Sequence, residues 1–270
     1  MKPPPDQVMP LGDHLDELRG RLIRVILVLV VAVVAGLVFQ VRLKGLVALP
    51  MQQAVAMTDP TTLEQLGIDP DPARFRLVVL SLVESPIETF KIALLFAVVV
   101  CFPWLVYQLW GFVAPALHPH ERRAALMTLP AAVLFFYLGI ALGFVYGLPW
   151  FFRWLIEFTA LDDGIRFELR QSFYHSTFIT MTLGFGLVMD LPWLVLALVR
   201  TGVVTPQALA RQRRLAWLVA IIMAAVLTPP DPISQLMMFL LMVILWESGI
   251  LAARLLGRPA AGPDAPAAGP

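Results

Sequence analysis

The run from Leu22 to Val41, LIRVILVLVVAVVAGLVFQV, carries one charge, Arg24, in 20 residues. As a helix rising about 1.5 Å per residue it reaches about 30 Å, the thickness of a bilayer's hydrocarbon core. Val33-Val34-Ala35 would pass as a signal-peptidase site, but the apolar run is too long for a signal-peptide core and long enough to span. Composition points the same way. With 59% hydrophobic and 14% charged residues in 270, the chain is too apolar for a soluble globular domain and belongs to the integral membrane class.

Five further apolar runs follow: Pro86 to Val113, Ala124 to Phe152, Phe173 to Val199, Leu215 to Leu227 and Ile233 to Ala253. The fold class is therefore all-α, a polytopic membrane protein with six transmembrane helices. An even number of spans puts both termini on one side. Lys and Arg flanks decide which, because basic flanks resist translocation. Twelve fall on the side of the termini, from Lys2 to Arg258, against seven on the other, from Arg42 to Arg170, with Lys91 inside a span. Both termini are predicted to be cytoplasmic, in the inner (cytoplasmic) membrane of the cell.

The fifth run is short. Its 13 residues make about 20 Å of helix, so it spans only a locally thinned bilayer. Thr228-Pro229-Pro230-Asp231-Pro232 joins it to the sixth, and three prolines forbid helix there, so the pair forms a tight hairpin. Arg42 to Ser85, with Pro50, Pro60, Pro70 and Pro72, reads as an external cap or short amphipathic helices after the first span. Residues 1–10 and 257–270, rich in Pro, Gly and Ala, read as disordered tails flanking one six-span membrane domain at 11–256.

Several function classes drop out on chemistry. A formal net charge of +1 supports no basic stripe, so nucleic acid is an unexpected partner. One cysteine, Cys101, forms no internal disulfide or thiolate metal site and reads as a small buried hydrophobe. Neither a phosphate-binding glycine loop nor a nucleophile elbow occurs, and His120-Glu121 lacks a second histidine one turn on, so no metal, cofactor or enzyme is expected. His14, His118, His120 and His175 sit at span ends, where solvated surface is the expected setting.

Polar residues near the spans carry the remaining signal. His14 to Leu22 places Leu15, Leu18 and Leu22 at helical spacing before the first span. Glu17 there either pairs with Arg21 at i,i+4 or faces an external cation at the cytoplasmic surface. The loop from Trp110 to Arg123, stiffened by Pro115 and Pro119, places Glu121 on the same face; spacing alone favours its pairing with Arg122 or Arg123. Within or at the ends of spans stand Asp190, Gln235 and Glu247, the last near enough to Arg254 to pair with it. A charge at the bilayer centre costs about 2.5 to 3.5 kcal/mol, so Asp190 needs a partner, a wet cavity or a proton. Gly139, Gly143 and Gly147 form a small-residue face suited to close helix packing. Met223, Met237, Met238 and Met242 read as core.

Three of these stretches carry a family resemblance. His14 to Leu22 resembles the H-L-x-E-L-R-x-R-L signature of the TatC family, the multi-spanning core of the twin-arginine protein translocase. Phe112-x-x-Pro115-x-Leu117 with His120-Glu121-Arg122-Arg123 resembles its second signature. Leu227-Thr228-Pro229-Pro230-Asp231 with Ser234-Gln235 resembles its third, in the right order. The resemblance implies a receptor in an oligomeric complex for signal peptides carrying paired arginines, working with the single-span partners TatA and TatB and driven by the proton-motive force. It implies signal-peptide contacts at Glu17 and Glu121, with Arg19, Phe112 and Pro50 also functionally sensitive. The family usually carries Glu or Gln two residues before a proline in its fourth span, where this chain has the shorter Asp190 before Leu191-Pro192.

The chemistry suits that expectation. An arginine offers a planar fork that a carboxylate holds through two hydrogen bonds, whereas lysine is a point charge, so two fixed acids select Arg-Arg over Lys-Lys. Six helices, two of them short, enclose no pore for a folded protein, so the passage requires partners. The reading from a different class is a proton-coupled small-molecule transporter with Asp190 as the proton-binding carboxylate.

Overall fold

The computed structural model describes residues 11–113, 129–162, 167–200 and 204–256. Among them the regular elements are helical, and the β-type contact is an isolated parallel bridge between Val78 and Arg170. The first helix, α1 (Leu11–Val38), runs without a break from the charged stretch through the first span. It packs on the second span: Val33 meets Ala93 and Ala97, while Val30, Val31 and Val34 stay exposed to what a membrane protein gives to lipid.

The cap is more helical than its four prolines suggest. It opens with α2 (Gln40–Met57), which contains Pro50, continues through α3 (Pro60–Gln65), and adds a 3-10 turn at Pro72–Arg74. Val47, Met51, Ala54 and Val55 of α2 are buried against Phe152 and Tyr174, so the cap owns a core with the third and fourth spans. Backbone bonds fasten its far end. The Phe167 amide donates to Leu66, Val78 donates to Leu169 and Gln171 donates to Val78, stitching the cap to the strand-like lead into the fourth span.

The second span is α4 (Glu84–Val113). The third is α5 (Leu129–Leu142) and α6 (Leu148–Thr159), joined by a π-helical turn at Gly143–Gly147. The small-residue face packs as expected: a Cβ on Gly139 would lie 2.4 Å from the Phe185 carbonyl oxygen, and one on Gly147 2.5 Å from the Phe185 ring. The fourth span breaks at Asp190, between α7 (Gln171–Met189) and α8 (Leu191–Arg200). A short α9 (Pro206–Arg211) leads into α10 (Arg213–Leu227), and α11 (Pro232–Leu256) is the sixth span.

Five spans among the described residues, the third and fourth each taken across its break, are long and apolar enough to cross a bilayer. The remaining span is α10, whose 15 residues give about 22 Å of helix, as its short apolar run predicts. The hairpin to α11 is built by capping. Thr228 donates its hydroxyl to the Ala224 carbonyl, closing α10. Asp231 accepts from the Ser234 amide at 2.7 Å and from its hydroxyl, opening α11 with Pro232 at the first position, where a missing N–H costs nothing. The terminal stretches expected to be disordered lie outside the described residues.

Candidate functional site

The chain's own charges bring two of the singled-out stretches together. Glu17 and Arg21 lie one turn apart on α1, and the Arg21 guanidinium donates to Glu17 Oε1 at 2.5 Å. The local i,i+4 pair is thus what the structure contains, yet the Glu17 side chain keeps 29% of its surface open while that of Arg21 keeps 18%. Arg21 reaches across to the end of α4: a Cβ on Gly111 would sit 1.8 Å from its Nη1. The guanidinium thus lies against the bare Gly111 backbone, where a larger side chain would push it aside. Phe112 follows directly, half-buried, and Gln108 lies one turn earlier, buried, with neither amide atom hydrogen-bonded. Arg19 points outward, exposed. Pro115 and Glu121 lie outside the described residues, as do His118 and His120.

Asp190 sits where the fourth span breaks. Its amide donates to Leu187 and its carbonyl accepts from Leu194, so the backbone tightens before Pro192, which has no N–H to continue the ladder. Its carboxylate Oδ1 is buried with no hydrogen-bond partner. That is an expensive state inside a span unless something outside this chain satisfies it. Met189, beside it, lines an apolar concavity of about 640 Å³ shared by the third, fourth and sixth spans, with Gly139, Tyr146, Phe185 and Met238 among its walls. Gln235 is half-buried on the first turn of α11, its amide donating to the Asp231 carbonyl. No hydrogen bond joins Gln235 to Asp190 among the described residues. Asp231 is fully engaged as the cap described above.

Pro50 is buried within α2 and lies far along the fold from the Glu17 region. Its ring removes the amide that would bond the Leu46 carbonyl. One residue later the Val47 carbonyl accepts the Tyr174 hydroxyl at 2.5 Å, from the fourth span.

Other residues behave differently from the sequence expectation. His175 is not solvated: it is 4% exposed, because α2 roofs the start of α7. Its Nδ1 faces Glu88 Oε2 at 3.6 Å, and Glu88, 2% exposed, bonds the Lys91 ammonium at 2.8 Å. This buried acid escaped notice, although an acid and a lysine at i,i+3 in an apolar run are signal enough. Glu84, at the end of the stretch expected to form the cap, opens the second span instead. It is buried and accepts from the Leu80 and Ser172 amides and from Arg170. Glu247 pairs with Arg213 at 2.7 Å rather than with Arg254, because the start of α10 lies beside the end of α11. Met238 and Met242 are core, whereas Met223 and Met237 are 37% and 38% exposed, on faces turned away from it.

Comparison with known proteins adds the family. A family model described as Sec-independent protein translocase protein (TatC) matches residues 13–240. The chain is 33% identical over 241 residues to the TatC protein of Halothiobacillus neapolitanus, covering 89% of this chain and 61% of that one. Against the TatC protein of Deinococcus radiodurans it is 31% identical over 258 residues, covering 94% and 90%. A crystal structure of the twin arginine translocase receptor TatC has a similar fold, with TM-score 0.73 at 27% identity, covering 91% of this chain and all of that one.

Proposed function

The chain belongs to the TatC family of protein translocase components, and from that premise we propose that it is the membrane receptor that binds signal peptides with paired arginines. The observation that carries this reading is the meeting of Arg21 with Gly111, which puts the first signature stretch against the start of the second. Glu17, held from one side by Arg21 and open on the other, is the carboxylate for one peptide arginine. Glu121, on the loop that follows Phe112, is the carboxylate for the other, and Arg19 and Phe112 border the same surface. Pro50 supports the opposite end of the bundle, and Pro115 stiffens the loop.

In this reading both termini are cytoplasmic and the chain resides in the inner membrane. TatA and TatB assemble on it as single-span partners, with Asp190 and Gln235 as the polar contacts inside the bilayer. The unbonded Asp190 oxygen supports that role, since a partner's donor would satisfy it. Transport of folded proteins draws on the proton-motive force through the assembled complex. The small-molecule transporter reading of Asp190 loses its ground in a protein translocase family.

Binding of a synthetic twin-arginine signal peptide to the purified full chain tests the proposal. Replacing Arg-Arg by Lys-Lys in the peptide should abolish the fork geometry and most of the affinity. Equal binding of the two peptides would overturn it.

A further inference from the structure

We propose that the cavity beneath the cap helix binds the phosphate of an anionic phospholipid headgroup. The cavity, about 280 Å³, lies between α2, the cap loop after Pro72–Arg74 and the first turns of α7. Its polar lining consists of Lys44 and Gln52 from α2, Arg76 from the loop, and Gln171 and His175 from α7.

Charge is the first argument. Lys44 and Arg76 make no ion pair or hydrogen bond among the described residues, and no carboxylate lines the cavity. Neither of the two nearby buried acids lines it: Glu84 accepts from Leu80, Ser172 and Arg170, while Glu88 accepts from Lys91 through Oε1 and turns Oε2 to His175. Two cations of different shape, a point-charge ammonium and a planar fork, therefore face one space with nothing to neutralise them, an arrangement that suits a tetrahedral dianion or monoanion.

The second argument is the rest of the lining. His175 and Gln171, 4% and 7% exposed, both line the cavity, and the His175 Nδ1 edge is turned to Glu88 Oε2 at 3.6 Å, so α7 adds neutral polar side chains and no competing acid to the wall.

Depth selects the lipid. The second span begins at Glu84 and the fourth at Gln171, so the cavity stands level with the start of two spans, where headgroups lie. Phe75 and Leu77 give it an apolar wall, which suits the first methylenes of a lipid's acyl chains and has nothing to offer a free anion. Cations at this depth hold anionic headgroups with about fivefold in affinity each.

The test uses the purified full chain and phosphatidylglycerol, titrated in detergent and read by native mass spectrometry. Wild type should retain the lipid, and K44Q/R76Q should weaken retention about thirtyfold. Gln52→Glu, which places a repelling carboxylate in the cavity, should also weaken it. Arg42→Gln removes a neighbouring exposed cation that does not line the cavity and should change nothing. Unchanged retention in K44Q/R76Q and in Gln52→Glu overturns the proposal, as does an equal loss in Arg42→Gln, which would mean general surface charge. Displacement of the lipid by millimolar inorganic phosphate would also overturn it, since the cavity would then be a free-anion site.

Discussion

The Tyr174 hydroxyl of the fourth span donates to the Val47 carbonyl of the cap helix, three residues before Pro50. Both partners are buried, Tyr174 at 1% exposed. Where proline interrupts the α2 ladder, a side chain from another element supplies a donor one position along. The cap is thus fastened to the membrane bundle at the point where its own helix is weakest.

Tyr174→Phe removes that donor, and the Val47 carbonyl keeps only its place as acceptor for the Met51 amide in the α2 ladder. The expected loss is about 0.5 to 1.5 kcal/mol of stability, read by denaturant unfolding in detergent. Signal-peptide affinity at the Glu17 end should be unchanged. A variant as stable as wild type would mean that water replaces the bond.

Glu17→Ala and Glu121→Ala should each weaken binding of a twin-arginine peptide about 10- to 150-fold, from the loss of a charged hydrogen bond of about 1.5 to 3 kcal/mol. Protein yield should not change, since Glu17 is part-exposed and its partner Arg21 can turn to water. Undiminished binding in the double variant would remove both residues from the receptor surface.

Two glycine substitutions should act in opposite directions. Gly139→Ala drives a methyl into the Phe185 backbone, which cannot swing aside, and should destabilise by about 1 to 3 kcal/mol. Gly20→Ala meets nothing within 4 Å in the middle of α1 and should stabilise by about 0.5 to 1 kcal/mol. Thermal unfolding of the pair in one detergent is the measurement.

Asp190→Ala should reduce export while leaving peptide binding intact. Leu187, one turn before it and 50% exposed, offers a position for a cysteine that should crosslink to the membrane helix of TatA or TatB. Normal export together with an absence of crosslinks would return the carboxylate to a structural role.

Cysteines introduced at Gly12, Ala210 and Gly262 should be shielded from an impermeant thiol reagent added outside cells, whereas one at the exposed Asp69 should react. Labelling of positions 69 and 262 from the same side would reverse the predicted topology.

The spans were legible because length and apolarity are summed over 20 or more residues, so small errors cancel. Most described bounds moved by three residues or fewer, the larger shifts being the start of the first helix at Leu11 and the end of the third span at Thr159. The glycine face was legible because its 4-residue spacing has few other uses. Burial of polar residues at span ends was not. His175 and Glu84 look alike in sequence whether water or a cap lies above them, and only the placement of α2 decides. Met223 and Met237 failed for a related reason: in a membrane helix apolar side chains face lipid as readily as core, so composition does not tell the sides apart. Glu17 was found, together with its competing partner Arg21, but its approach to Gly111 depended on how α1 crosses α4, which no local pattern encodes.

The isolation of the first helix bears on the order of assembly. Within the bundle α1 takes almost all its packing from α4, through Val33, Ala93 and Ala97. A newly inserted first helix therefore has nothing of its own chain to hold until the second helix emerges from the insertion machinery. The two then form the earliest tertiary unit, with the cap suspended between them. The third span then docks on α4 through the Phe102–Phe136 stack and the Tyr137 bond to Val99, and the buried Glu88 gains its neighbour His175 only when the fourth helix arrives.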